Sequence, residues 1–195
     1  MKILLFLCKG FEHLESAPFI DVFGWARSYC GSDISVVTCG FTETVTSTFS
    51  VSINVDDVIS KIDPSDYDAF ALPGGFGEFG YYDEAYDERL LKLIKAFRSM
   101  GKPIASVCVA AKPLGKSGIL HNKKATTYHL NNKKHQKQLA AMDSITVISD
   151  ESVVTDDNII TSFCPKTAPY VAFELLEILK GSDMTKRVKH LMGYD

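Results

Sequence analysis

Cys108 is the residue around which a chemistry can be built. It follows PIASV, a run without charge, and precedes AAKPLGKSG, where the small Ala110 and Ala111 admit a short helix. A cysteine at a turn from a buried strand into a helix meets unsatisfied N–H groups and a partial positive charge, which favour a thiolate and can receive an oxyanion. Position alone therefore predicts a nucleophile with a pKa below the free-cysteine value of about 8.5. The competing reading is an inert core thiol, because cysteine is among the most frequently buried residue types.

Other groups are placed to assist it. Gly74-Gly75 ends the run AFALP, and two glycines allow a close backbone approach that suits an oxyanion-binding N–H. GFEHLES, after the first apolar run, offers Glu12 and Glu15. A carboxylate beside a thiolate is disfavoured by like charge, so a glutamate reaching Cys108 holds a proton or takes one from the thiol. Residue physics leaves Glu12 and Glu15 as alternatives, each with helix capping as its competing role. His129, just after ATTY, serves as a base if its segment faces Cys108, whereas His121 and His135 lie in basic stretches that read as solvent exposed. Lys112 reads first as a solvated helix lysine and second as a cation for the pocket. No histidine pair has metal-ligand spacing and FGEFG lacks the spacing of a dinucleotide loop, so no metal or cofactor is expected.

These residues need a scaffold that gathers loop ends. Ile3–Leu7, Ala69–Pro73 and Ile104–Cys108 are chargeless runs of the kind buried on both faces of a parallel sheet. Between them lie helical recurrences: Leu14 to Ala26, with Pro18 near a first turn, and Asp87 to Met100, stopped by Gly101. Asp33–Thr38 reads as a strand, Val45–Val55 as a strand pair, and DDVISKI as a helix. Further along come a strand at Ala125–Thr127, a polar helix at Asn131–Gln138, three short strands ITVI, SVVT and NIITSF with a turn at Asp156-Asp157-Asn158, and helices at Lys166–Lys180 and Met184–Met192. The alternation predicts one α/β domain over residues 1–195, a mostly parallel central sheet with helices on both faces, a flavodoxin-like three-layer sandwich.

Twenty-one basic against 24 acidic residues leave a net charge of −3, which gives nucleic acid no compositional support as a partner. No run reaches the length of a membrane span, and the opening KILLFLC is short for a signal-peptide core. Five cysteines without a CxxC pair fit a reducing compartment, so the expected location is cytoplasmic.

GFEHLES, LPGG, GKPIASVCVAAKPLGKSGIL and KKATTY together resemble the ThiJ/PfpI superfamily, relatives of the class I glutamine amidotransferase fold, from Lys2 to about Leu179. The resemblance implies that Cys108 is the elbow nucleophile, Glu15 its carboxyl partner, Gly75 and Val109 the oxyanion N–H donors, and a homodimer or higher homo-oligomer the assembly. It implies a cysteine-dependent enzyme of glyoxalase or deglycase type acting on a small reactive carbonyl, ester or amide. Two alternatives accompany it: a non-catalytic redox or stress protein with an oxidisable Cys108, and an intracellular PfpI-type cysteine peptidase. Peptidase members carry a histidine directly after the elbow cysteine, where this chain has Val109. Glyoxalase-like members are associated with a histidine in the segment that here reads TTYH, where Tyr128 takes the comparable position and His129 follows one residue later.

Overall fold

The computed structural model describes residues 1–130 and 132–194. Its elements run β1 (Lys2–Phe6), α1 (His13–Cys30), β2 (Ser35–Gly40), β3 (Thr44–Thr46), β4 (Ser52–Asn54), β5 (Asp57–Val58), β6 (Ala69–Leu72), α2 (Tyr81–Ala85), α3 (Glu88–Ser99) and β7 (Ile104–Ser106). They continue with α4 (Ala111–Lys116), β8 (Lys124–Ala125), α5 (Lys134–Ala140), β9 (Thr146–Val147), β10 (Val153–Asp156), β11 (Ile159–Ser162), α6 (Ala168–Lys180) and α7 (Ser182–Met192). A seven-stranded sheet has the order β10-β11-β7-β6-β1-β2-β5. Every pairing in it is parallel except β10 with β11. Helices cover both faces: α1, α6 and α7 pack together on one, while α3, α4 and α5 follow one another on the other.

The chargeless runs take the centre. Ile3 to Leu7, Ala69 to Leu72 and Ile104 to Ser106 are fully buried, so β1, β6 and β7 form the middle of the sheet, where both faces are covered. Their mutual parallel register sends all three carboxyl ends to one edge, and the segments carrying Glu15, Gly74-Gly75 and Cys108 leave the sheet there. Helix α1 starts where the Glu12 side chain accepts from the Leu14 N–H and stops at Gly31, whose φ of 71° suits a residue without a Cβ. Pro18 lies inside this helix, beyond its first turn, on the stripe that Phe19, Val22, Phe23 and Ala26 bury.

Several segments differ from the reading of the sequence. DDVISKI forms edge strand β5 and a single 3₁₀ turn at Ile59–Lys61 instead of a helix. Asp56 accepts from the Thr38 N–H at 2.8 Å and hydroxyl at 2.7 Å, which ties the segment to β2. ITVI contributes only β9, which pairs with β8 in a separate two-stranded ladder. The strand expected at Ala125–Thr127 ends at Ala125, beyond which the Thr126 N–H donates to the Thr161 hydroxyl and the Thr127 hydroxyl to the Cys108 carbonyl. The polar helix begins at Lys134; Asn131, its expected first residue, lies outside the described residues. The strand pair β3–β4 and the β10–β11 hairpin form at the expected segments, the latter turning through Asp157 with φ of 55°.

Leu5 sits in mid-β1 between β2 and β6 with no exposure. Leu5→Ala should therefore lower unfolding free energy by about 2–5 kcal/mol, read from the urea midpoint at constant m-value.

Candidate functional site

The chain leaves β7 through Val107, whose N–H donates to the Leu72 carbonyl at 3.2 Å, and turns at Cys108 into a 3₁₀ turn leading to α4. Cys108 has φ of 58°, the left-handed region that costs an L-residue about 1–2 kcal/mol. Two bonds hold the turn: Ala110 N–H to the Val107 carbonyl at 3.0 Å, and the Thr127 hydroxyl to the Cys108 carbonyl at 2.7 Å. The elbow is enclosed, with Cys108 only 8% exposed.

Across the sheet edge, Glu12 N–H donates to the Gly74 carbonyl at 2.9 Å and Phe76 N–H to the Gly10 carbonyl at 3.0 Å. This clamp sets Phe11 opposite Gly75 as an antiparallel bridge. Neither glycine can be replaced without displacement. A Cβ on Gly75 would lie 2.2 Å from the Gly10 carbonyl oxygen, and one on Gly74 would lie 2.7 Å from Glu15 Oε2 and 3.1 Å from the Val109 nitrogen. Among the described residues the Gly75 N–H donates to no protein acceptor. The Val109 N–H lies near the cysteine sulfur and favours its charged form.

The two glutamates take different tasks. Glu12 caps α1 and accepts from the Thr48 hydroxyl at 3.3 Å. Glu15, 1% exposed in the first turn of α1, accepts the Gly74 N–H at 2.7 Å and faces Cys108 closely enough for each to shift the other's proton affinity. Burial raises the Glu15 carboxyl to about 8, against the lowering pull of its pairing with Cys108 and its bond from Gly74. The sequence position predicts a thiol below the ordinary value, but the structure pushes Cys108 upward. Burial is the first cause, repulsion from the Glu15 carboxylate and its pairing with the thiol follow, and the Val109 N–H pulls the other way. The Glu15 contributions exist only once that carboxyl has lost its proton. Cys108 and Glu15 therefore titrate as one system, in which the neutral carboxyl turns from a repelling charge into a donor.

His129 stacks its ring on Phe163, centroids 4.6 Å apart, and among the described residues its buried Nδ1 has no hydrogen-bond partner. Tyr128 instead meets the ring of His135 edge-on at 5.8 Å. The sequence reads His135 as exposed; it is half-buried, and burial with the neighbouring Lys112 and Lys134 charges lowers it to about 4. Lys112, read first as solvated, is 4% exposed and lies 4.0 Å above the Tyr82 ring. Tyr82 sits on α2, a five-residue helix without a side-chain cap, and Thr127 anchors the elbow from a distant loop; neither carries a local signal. Among the described residues no three His, Cys, Asp or Glu side chains gather as a metal site.

Glu15 links stability to pH with a determinable sign. Its folded pKa lies above its unfolded one, so it stabilises fully below the ordinary carboxylate range, and that contribution is lost as pH rises towards about 8. The slope is about 1.4 kcal/mol per pH unit and the total roughly 5 kcal/mol at most. Glu15→Gln should remove this slope between pH 5 and 8 in urea titrations. Comparing each pH with wild type cancels the opposite slope from His135, and parallel curves for the two proteins would refute the buried proton.

The chain matches the model of the DJ-1/PfpI family over residues 1–178. The crystal structure of Drosophila melanogaster DJ-1beta superposes with a TM-score of 0.86 at 28% identity, covering 100% of this chain and 98% of that one. General stress protein 18 of Bacillus subtilis is 30% identical over 67% of this chain and 72% of its own length. Deglycase PH1704 of Pyrococcus horikoshii is 28% identical over 70% of this chain and 77% of its own. An uncharacterised Methanocaldococcus jannaschii protein is 30% identical over 66% of this chain, which spans 60% of that relative's length. With its elbow cysteine, buried glutamate and glycine pair on a matching sheet, the chain belongs to the DJ-1/PfpI family.

Proposed function

We propose that the protein is a redox-responsive stress protein that works through Cys108. The observation that carries this reading is the Cys108–Glu15 pair at a strained, enclosed elbow. Peroxide converts a thiolate to sulfenic acid with release of hydroxide, and a second equivalent gives sulfinic acid. Around it, Glu15 is a proton-bearing carboxyl at neutral pH and the Val109 N–H is a donor, so both can hydrogen-bond the acid oxygens. The named stress-protein relative supports this reading.

A second reading is favoured by the unengaged Gly75 N–H: a cysteine-dependent enzyme acting on a small carbonyl, ester or amide. Cys108 adds to the electrophilic carbon, Gly75 and Val109 hold the oxyanion, Glu15 moves the proton, and His129 assists if its unpartnered Nδ1 reaches the adduct. The deglycase relative supports it. Peptidase action is disfavoured, since the residue after the elbow is Val109 and expulsion of a poor amine needs an acid there.

The five cysteines are all free thiols, which supports a cytoplasmic location, and among the described residues no helix is long and apolar enough to cross a membrane. A homodimer accords with the exposed cluster of Phe49, Phe76 and Phe79, whose centroids lie 5.8–6.4 Å apart.

Peroxide titration with peptide-resolved mass spectrometry should place the first oxygen on Cys108, faster by about tenfold per pH unit from 6 to 7 and less steeply above about 8, where ionised Glu15 opposes the thiolate. Equal oxidation of Cys30 or Cys164 would overturn this. Methylglyoxal turnover abolished in Cys108→Ser would favour the enzyme, whereas no cysteine-dependent turnover would leave the redox role. Sedimentation at micromolar concentration should give a dimer, which Phe49→Ser weakens; a wild-type monomer would refute the assembly.

A further inference from the structure

Lys112 is a buried ammonium without a counter-ion. It is 4% exposed, and among the described residues no carboxylate lies within ion-pair distance of it. Its Nζ makes one hydrogen bond, to Gln138 Oε1 at 3.1 Å, and rests 4.0 Å above the Tyr82 ring. An ammonium has three protons to place, and leaving it unpaired away from water is costly.

The groups around it deepen the deficit. Tyr82 Oη and His135 Nδ1 are buried and, among the described residues, have no hydrogen-bond partner. Lys134 adds a second positive charge, and the Glu78 carboxylate that acts on His135 and Tyr82 is exposed and makes no ion pair with Lys112. Lys112 comes four residues after Cys108, and the two side chains are near enough for a thiolate at Cys108 to stabilise the ammonium. Burial lowers the ammonium to about 8, which leaves it mostly charged at neutral pH. Positive, donor-rich and short of acceptors, this wall is complementary to a small monoanion.

We propose that Lys112, with Tyr82 and His135, forms a carboxylate-binding pocket beside Cys108, so that the small molecules reaching this thiol are anionic electrophiles such as 2-oxo acids or aldehydes bearing a carboxylate. The inference rests on Cys108 being the reactive centre, under either reading above. The addition balances without a further reagent. The sulfur–carbon bond forms, the carbonyl π pair moves to oxygen, and the thiol proton passes through Glu15 to that oxygen, giving a hemithioacetal or hemithioketal while the carboxylate stays on the ammonium.

Alkylation of Cys108 at pH 7 by iodoacetate and by its neutral isostere iodoacetamide tests this, resolved by peptide mass spectrometry. Removing a nearby cation also changes the thiolate fraction, but that alters both rates equally, so the rate ratio isolates carboxylate recognition. The iodoacetate-to-iodoacetamide ratio should fall about tenfold in Lys112→Met, as expected for loss of one charge-assisted hydrogen bond. It should fall similarly in Lys112→Gln, recover in Lys112→Arg, and stay unchanged at Cys30. A ratio constant within twofold across wild type, Lys112→Met and Lys112→Gln would overturn the pocket. The measurement needs neither turnover nor peroxide: a changed ratio with no oxidation or turnover sinks only the functional reading, and Cys108 oxidation with an unchanged ratio sinks only the pocket.

Discussion

The backbone of Cys108 is the constraint on which the rest depends. A β-carbon-bearing residue in the left-handed region persists only where its surroundings over-determine it. Here the β7 ladder ends at Ser106, the Thr127 hydroxyl fixes the Cys108 carbonyl, and the following turn closes on Val107. Relaxing φ would swing the sulfur away from both the Val109 N–H and Glu15. The parallel order of β1, β6 and β7 follows the same logic, because it is what brings three separate loops to one edge.

Electrostatics then decides how the sulfur behaves. An open elbow at a helix start would give a thiolate at neutral pH; enclosure reverses that by removing water from the charged form. The reversal is limited by the state of Glu15. A carboxyl that stays neutral to about pH 8 imposes no repulsion below that value, so its burial protects the sulfur from a fixed negative neighbour. Glu12, three residues earlier and engaged as a cap, could not do this, since its carboxylate is held by the Leu14 N–H and Thr48 hydroxyl.

What the sequence shows and hides has a physical pattern. Central strands were legible because burial on both faces excludes every charge, a property of the strand itself. The cysteine, the glutamates and the glycine pair were legible because each lies next to such a strand. DDVISKI was misread because Val58, Ile59 and Ile62 mimic a helical stripe, while the bonds that hold it to β2 come from Thr38, eighteen residues before Asp56. The exposure of Lys112 and His135 was misread for a related reason. A lysine on a short helix is solvated unless something covers it, and the cover comes from Tyr82, thirty residues earlier in the chain.

Val109 and Lys112 together change what kind of centre this is. A histidine beside the sulfur would supply both a base and a cation that titrates near neutrality. In the proposed readings those tasks are divided between Glu15, whose buried carboxyl keeps its proton to about pH 8, and the Lys112 ammonium. Neither takes the place of an imidazolium directly after the elbow, where this chain has Val109. With Val109 at that position, the proposed chemistry is of the kind in which no amine need depart, either addition to a carbonyl or oxygen transfer from peroxide with hydroxide leaving, rather than cleavage of an amide.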